Sequence, residues 1–187
     1  MVKEWERSES RRLADYGLVQ VRQDVVRSPR TGSAHEMLIL ELSDWVNIVA
    51  LTPENKVVMI RQYRHGTKET GLEIPGGVVE GDDASMAVAA RRELVEETGY
   101  EPEEMVFLGK VAPNPALQDN WCHSFLARGA RPVREQALDA GEDIEVVEVG
   151  LEEISALIAS GQINHGLVVV AFYLFEQYER EHGPGSP

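Results

Sequence analysis

Cysteine is nearly missing from this chain: Cys122 stands alone among 187 residues. No internal disulfide can form, so the fold must rest on a packed core, and a reducing cytoplasm is the expected setting. Long apolar runs are missing too; none reaches the roughly 20 residues that a bilayer-spanning helix needs, and no membrane partner is expected. The opening Met-Val-Lys-Glu-Trp-Glu-Arg is too charged for a secretory signal. Basic side chains are outnumbered, 18 against 32 acidic ones, for a net charge of −14. Such a field repels nucleic acid and argues against an RNA substrate. The lone cysteine and the scattered histidines offer no zinc-like grouping. A hydrophobic content of 43% is enough for one compact domain, or a core domain with a small appendage.

What is present is a concentration of acid. Residues 90–99, Ala-Arg-Arg-Glu-Leu-Val-Glu-Glu-Thr-Gly, place Glu93, Glu96 and Glu97 ahead of a terminating glycine. On a helix, residues three and four apart share a face, so these carboxylates repel one another by roughly 0.2–0.5 kcal/mol per pair. A solvated acidic face would explain them, and so would a divalent cation, which turns repulsion into ligation. All-oxygen ligands suit Mg2+, with Mn2+ or Ca2+ as substitutes. Glu93 and Glu97, one turn apart, can hold one ion and Glu96 a second, while Arg92, one turn before Glu96, can orient it by an ion pair. Ala87, Ala90 and Leu94 recur with the period of a face pressed on a core, and Gly99 fits a left-handed C-cap. Upstream, residues 72–81, Leu-Glu-Ile-Pro-Gly-Gly-Val-Val-Glu-Gly, read as a strand opening into a glycine loop that feeds this helix.

Strand, glycine loop and acidic helix together resemble the box of the Nudix hydrolases, written G-x5-E-x7-R-E-U-x-E-E-x-G-U with U aliphatic. Arg92, Glu93, Leu94, Glu96, Glu97 and Gly99 match its right half, and Tyr100 fills the last aliphatic position. The left half departs by one residue. Gly77 and Asp83 fit it only with an insertion around residues 82–85, which a surface loop absorbs at small entropic cost; the role of the loop acid stays open. The resemblance implies an α/β/α sandwich with a mixed, curled sheet. It also implies that the Gly76 carbonyl joins Glu93, Glu96 and Glu97 as a metal ligand.

Other segments narrow the resemblance to the ADP-ribose pyrophosphatase and nucleoside diphosphate sugar hydrolase branch. The apolar strand at residues 56–64 ends in Arg61-Gln62-Tyr63-Arg64, with Glu73 ahead of Pro75-Gly76-Gly77. Arg64 is a candidate diphosphate clamp, because guanidinium donors match phosphate oxygens in pairs. Glu73 binds a ribose hydroxyl, helps hold a metal, or pairs with an arginine on the neighbouring strand. Residues 111–123 form a proline-marked loop between a strand at 105–109 and one ending Phe125-Leu126-Ala127, and Pro115 resembles the marker of enzymes cleaving nucleoside diphosphate sugars. Asn114, Gln118, Asp119 and Asn120 can read sugar hydroxyls or simply form turns. Trp121 either stacks a base or, more in keeping with an aromatic entering a strand, joins the core. In the acidic loop 138–145 the resemblance makes Glu142 the candidate partner of the attacking water, with Glu145 as its nearest substitute.

Residues 16–27 and 34–43 alternate like strands around a turn at 28–33. The expected organisation is an N-terminal β-sheet region at 1–44, a hydrolase domain at 45–182 and a disordered tail at 183–187. The resemblance implies that the N-terminal sheet joins a homodimer and that Trp45 contacts the base. Helices are expected at 151–160 and 167–181. The implied activity is Mg2+-dependent hydrolysis of a nucleoside diphosphate sugar to a nucleoside monophosphate and a sugar phosphate. The alternatives are a dinucleotide or nucleoside triphosphate pyrophosphatase, and a catalytically silent nucleotide-sugar sensor.

Overall fold

The computed structural model describes residues 1–183 and divides into two compact units, residues 1–44 with 112–121, and residues 45–111 with the chain from 122 onward. The tail expected at 183–187 lies, from residue 184, outside the described residues. Among the described residues no helix is long and apolar enough to cross a membrane.

The first unit is an antiparallel meander of β1 (Glu6–Asp15), β2 (Val19–Arg27) and β3 (Ala34–Leu42). The strand expected from residue 16 starts at Val19, because Asp15 Oδ1 accepts the Gly17 N–H at 2.9 Å and Gly17, at φ 75°, turns the chain. The strand at 6–15 has no counterpart among those expected from the sequence. Its polar residues offer no apolar alternation, and it is exposed almost throughout. Pairing to β2 holds it, helped by Ser10 Oγ donating to Asp24 Oδ1 at 2.7 Å. Burial alone would raise the Asp24 carboxyl, but Ser10, Arg22 and Arg7 together carry it below the usual range.

The loop 112–121 attaches to β3 through its backbone. Leu40 N–H donates to Leu117 O at 2.8 Å, and Leu42 N–H donates to Asp119 Oδ1 at 3.2 Å. Asn120, 2% exposed, donates from Nδ2 to Ser43 O at 3.0 Å. Trp121 corrects the core expectation, being 41% exposed, whereas Cys122 beside it is 1% exposed. Cys122 begins the next strand, whereas Trp121 stands just outside it with its N–H on Asp44 Oδ1 at 2.9 Å.

The second unit runs β4 (Trp45–Leu51), β5 (Lys56–Arg64), β6 (Glu69–Glu73), β7 (Gly76–Val78), α1 (Met86–Thr98), β8 (Tyr100–Glu101), β9 (Glu104–Val111), β10 (Cys122–Arg128), β11 (Arg131–Pro132), β12 (Ile144–Gly150), α2 (Ile154–Ala159) and α3 (Gly166–His182). Its mixed sheet has the order β12-β5-β4-β10-β9, with β6 on β5, β7 on β4, and β10 parallel to β4. β8 and β11 form a separate two-residue pair.

Alternation along β4 separates two cores. Val46, Ile48 and Ala50 pack with Ala89, Ala90 and Leu94 of α1, while Val49 packs with Val168, Ala171, Phe172 and Phe175 of α3. Helix, sheet and helices form the three layers of an α/β/α sandwich. Ala89 and Ala90 leave no exposed surface, so small side chains bring the α1 backbone close to the sheet. The helix expected at 151–160 is shorter, a 3-10 turn at Leu151–Glu153 and then α2. Glu153 Oε1 accepts the Gly150 N–H at 3.1 Å, tightening the first turn as the chain leaves β12.

Candidate active site

The glycine loop and α1 create the site together. Ser85 caps α1 by accepting the Val88 N–H at 3.2 Å, and Gly99, at φ 75°, ends it with its N–H on Val95 O. With Ala89, Ala90 and Leu94 facing the sheet, the same turns carry Glu93 (9% exposed) and Glu97 (3% exposed) inward. Glu97 Oε2 accepts the Gly76 N–H at 2.8 Å. Both loop glycines are crowded, Gly76 by backbone and Gly77 by a side chain. A Cβ on Gly76 would lie 2.3 Å from Val46 O, and one on Gly77 would lie 2.5 Å from the Glu93 carboxyl. Gly76→Ala is therefore expected to destabilise the fold by about 2–4 kcal/mol. Gly77→Ala, which meets only a side-chain end, should melt closer to the parent while losing more turnover. A thermal melt beside an activity assay separates the two, and equal melting losses would contradict the assignment.

Arg92 is the hub of the acidic face. Its Nη1 donates to Glu93 Oε1 and Glu96 Oε2, both at 3.0 Å, and its Nη2 donates to Val78 O at 3.1 Å. Nε and Nη2 also hold Asp83 at 3.2 and 3.0 Å, and Asp83 Oδ2 accepts the Glu80 N–H at 2.9 Å. The hydrogen bond from Arg92 holds the Asp83 carboxyl below its ordinary value despite burial. The one-residue departure in the loop thus leaves an acid on Arg92, and Asp83 fills that position by geometry.

Electrostatics divide the carboxylates. Burial pushes Glu93 up to about 7; Arg92 opposes this, and Glu96 and Glu142 add to it. Burial pushes Glu97 up to about 8, opposed by the Gly76 N–H and reinforced by Glu93 and Glu142. Glu73 goes the other way: burial alone would raise it, but hydrogen bonds from Arg64 and His165 hold it down at about 2. Arg64 grips Glu73 with two donors, Nε to Oε1 at 2.9 Å and Nη2 to Oε2 at 2.8 Å. Glu73 thus makes the pair with an arginine on the adjoining strand that is one of its expected readings. The β5–β6 turn that allows it has Lys68 at φ 60°, its N–H on Arg64 O at 2.8 Å.

Glu142 lies far along the chain, yet its charge acts on Glu93 and Glu97. The segment before it is tied to the end of α1, where Ala137 N–H donates to Glu96 O at 2.8 Å and Gln136 Nε2 donates to Glu97 O. The Glu142 side chain is exposed and closes a turn by accepting the Asp139 N–H at 2.9 Å. Glu145 instead faces Arg61 at 3.8 Å. Trp45 opens β4, half-buried between Val78 and Cys122 in the ladder. Asn114 and Gln118 belong to the first unit, where Asn114 O accepts the Leu117 and Gln118 N–H groups at 3.0 and 2.8 Å.

His165 was invisible in the sequence. Its Nδ1 lies 2.8 Å from Glu73 Oε2, and nothing in the local pattern of a histidine before an apolar helix signals a partner 92 positions away.

The donor set fits a hard divalent cation. It is all oxygen, two of its carboxylates are buried beside each other with raised proton affinity, and the adjoining loop has no room for side chains. Among the described residues no three acidic or imidazole side chains are already gathered as ligands. Arg92 Nη1 bridges Glu93 and Glu96, and the Gly76 N–H takes one oxygen of Glu97.

Comparison with known proteins agrees with this geometry. The model of the NUDIX domain matches residues 43–170. The chain is 34% identical over 164 residues to a methanol dehydrogenase activator of Bacillus methanolicus, covering 87% of each. It is 34% identical over 134 residues to an ADP-ribose pyrophosphatase of Bacillus subtilis, covering 71% of each. It is 30% identical over 164 residues to a GDP-mannose pyrophosphatase of Citrobacter koseri, covering 83% of this chain and 81% of that one. A crystal structure of an ADP compounds hydrolase shares the fold, with a TM-score of 0.85 at 21% identity over 98% of each chain. With the domain match spanning most of its length and its box residues folded around one glycine loop, the chain belongs to the Nudix family.

Proposed function

We propose that this chain hydrolyses the pyrophosphate bond of a nucleoside diphosphate sugar, releasing a nucleoside monophosphate and a sugar phosphate. Nudix hydrolases generally need a divalent metal, and Mg2+ is the ion proposed here, with Mn2+ as a substitute. The observation that carries the reading is the pair Glu93 and Glu97. Two carboxylates buried together, with proton affinities raised to about 7 and 8, are costly in a resting fold and useful around a cation. The pyrophosphatase relatives that act on ADP-ribose and GDP-mannose support the substrate class.

Glu93, Glu96, Glu97 and the Gly76 carbonyl would hold the ion. When bound, it supplies positive charge for the phosphate oxygens and lowers the pKa of a water. Arg92 orients the Glu93 and Glu96 carboxylates through Nη1. Arg64, its guanidinium half-exposed, contacts the diphosphate while Glu73 fixes one edge of the fork. Glu142 takes the proton of the attacking water, Trp45 contacts the base, and Asn114 and Gln118 read sugar hydroxyls. The residues at 1–44 are proposed to join a homodimer, residues 45–182 to form the catalytic domain, and the protein to work in the cytoplasm without nucleic acid or membrane.

One relative is named an activator of another enzyme, which favours a second reading, a sensor without chemistry. Product-resolved turnover of ADP-ribose, GDP-mannose, UDP-glucose and ADP-glucose, with Mg2+ and with EDTA, decides between them. Monophosphate and sugar phosphate are expected with Mg2+ and neither with EDTA. No turnover of any of the four would favour the sensor. Faster cleavage of a dinucleotide or a nucleoside triphosphate would move the substrate class.

A further inference from the structure

Glu73 Oε2 has two donors, and only one of them belongs to the proposed diphosphate clamp. Arg64 Nη2 reaches it at 2.8 Å, and His165 Nδ1 reaches the same oxygen at 2.8 Å. Glu73 is 2% exposed, and an ionised carboxylate only accepts, so His165 presents a proton at Nδ1. Removing it would leave a buried lone pair unmet and hold Glu73 through Arg64 alone, whose side chain is 46% exposed.

The imidazole is itself anchored. His165 O accepts the Val168 and Val169 N–H groups at 3.0 and 3.1 Å, so the residue stands at the start of α3 while its side chain turns to Glu73. Asn47 Nδ2 donates to Leu167 O at 3.2 Å, tying the same turn of α3 to β4 beside its pair with Gly76. Two ties thus fix the first turn of α3 to the strands that carry Glu73 and the glycine loop.

We propose that His165 is a positioning residue for the diphosphate clamp: by holding the shared oxygen of Glu73 it fixes the direction in which Arg64 presents its guanidinium. This rests on the reading of Arg64 as a substrate contact. The support shell of a binding group tunes function through geometry, so its loss should appear in substrate affinity more than in the chemical step.

The test joins kinetics on ADP-ribose and GDP-mannose to the NMR signal of the Arg64 Nε–H, assigned by its loss in Arg64→Lys. In His165→Ala the signal should broaden and exchange faster, and KM should rise about tenfold with kcat within about threefold. His165→Asn, whose amide can donate from near the Nδ1 position, should recover both. Arg64→Ala should raise KM at least as much, and adding His165→Ala to it should change little more. An Arg64 signal and KM unmoved in His165→Ala would overturn the proposal, and so would multiplying effects in the double variant. An unchanged KM in Arg64→Ala, with the signal still dependent on His165, would remove the clamp and leave the positioning, so the two failures read differently.

Discussion

At pH 8 without divalent cation, Glu97→Gln is expected to melt at a higher temperature than the parent, yet to turn over substrate about a thousandfold more slowly once Mg2+ is supplied. The gain in stability follows from burial. In the unfolded chain Glu93 and Glu97 ionise near 4.5, while in the folded one they hold their protons up to about 7 and 8. Below pH 4.5 both states are protonated and the pair costs nothing. As pH rises from 4.5 to about 8, only the unfolded chain releases protons freely, so the cation-free fold loses stability across that window. A tenfold change in proton affinity corresponds to about 1.4 kcal/mol, and removing one member of the pair should return about 1–3 kcal/mol. The Gln oxygen can still accept the Gly76 N–H. Glu73 acts in the opposite sense: held at about 2, it adds stability above pH 4.5 and loses it as pH falls toward 2. Melting curves from pH 5 to 8 in EDTA and in Mg2+, with kcat on the same preparations, check both halves. A variant that melts lower in EDTA would refute the burial argument, and retained turnover would remove Glu97 from the ligand set.

Glu142→Gln should reduce kcat by about 10²–10⁴ while leaving the melting temperature within about 1 °C, the signature of a lost general base. Its side chain is exposed, and the hydrogen bond it accepts from the Asp139 N–H is open to a glutamine oxygen as well. What changes is the negative charge that acts on Glu93 and Glu97. Glu145→Gln is the control: its carboxylate is 70% exposed and faces Arg61, so near-parental turnover is expected. Should the two variants exchange behaviour, the acid that serves the water is Glu145.

The helix that carries the carboxylates was readable because its information is local. Its period and its terminating glycine fall within one stretch, and Leu94 and Gly99 take the places that the pattern gives them. The strand at Lys56–Arg64 is equally local, an apolar run that ends in charge. The strand at Glu6–Asp15 hides because pairing, not side-chain alternation, makes it a strand. Trp121 misleads because hydrophobicity names a candidate for burial without saying that the strand starts one residue later. Asp83 needed coordinates to show that an added residue in a loop still delivers its carboxylate to Arg92. His165 needed them most, because a pairing across 92 positions leaves no periodic trace.

Residues 112–121 belong with 1–44 although they are made much later, and this has a consequence for synthesis. On the ribosome the N-terminal meander emerges with the partners of Leu40, Leu42 and Ser43 still untranslated, so those backbone groups stay with water until the loop arrives. A fragment started at residue 45 would carry the opposite defect, ten residues bereft of the strand they were shaped to meet, and would be a poor stand-in for the whole chain.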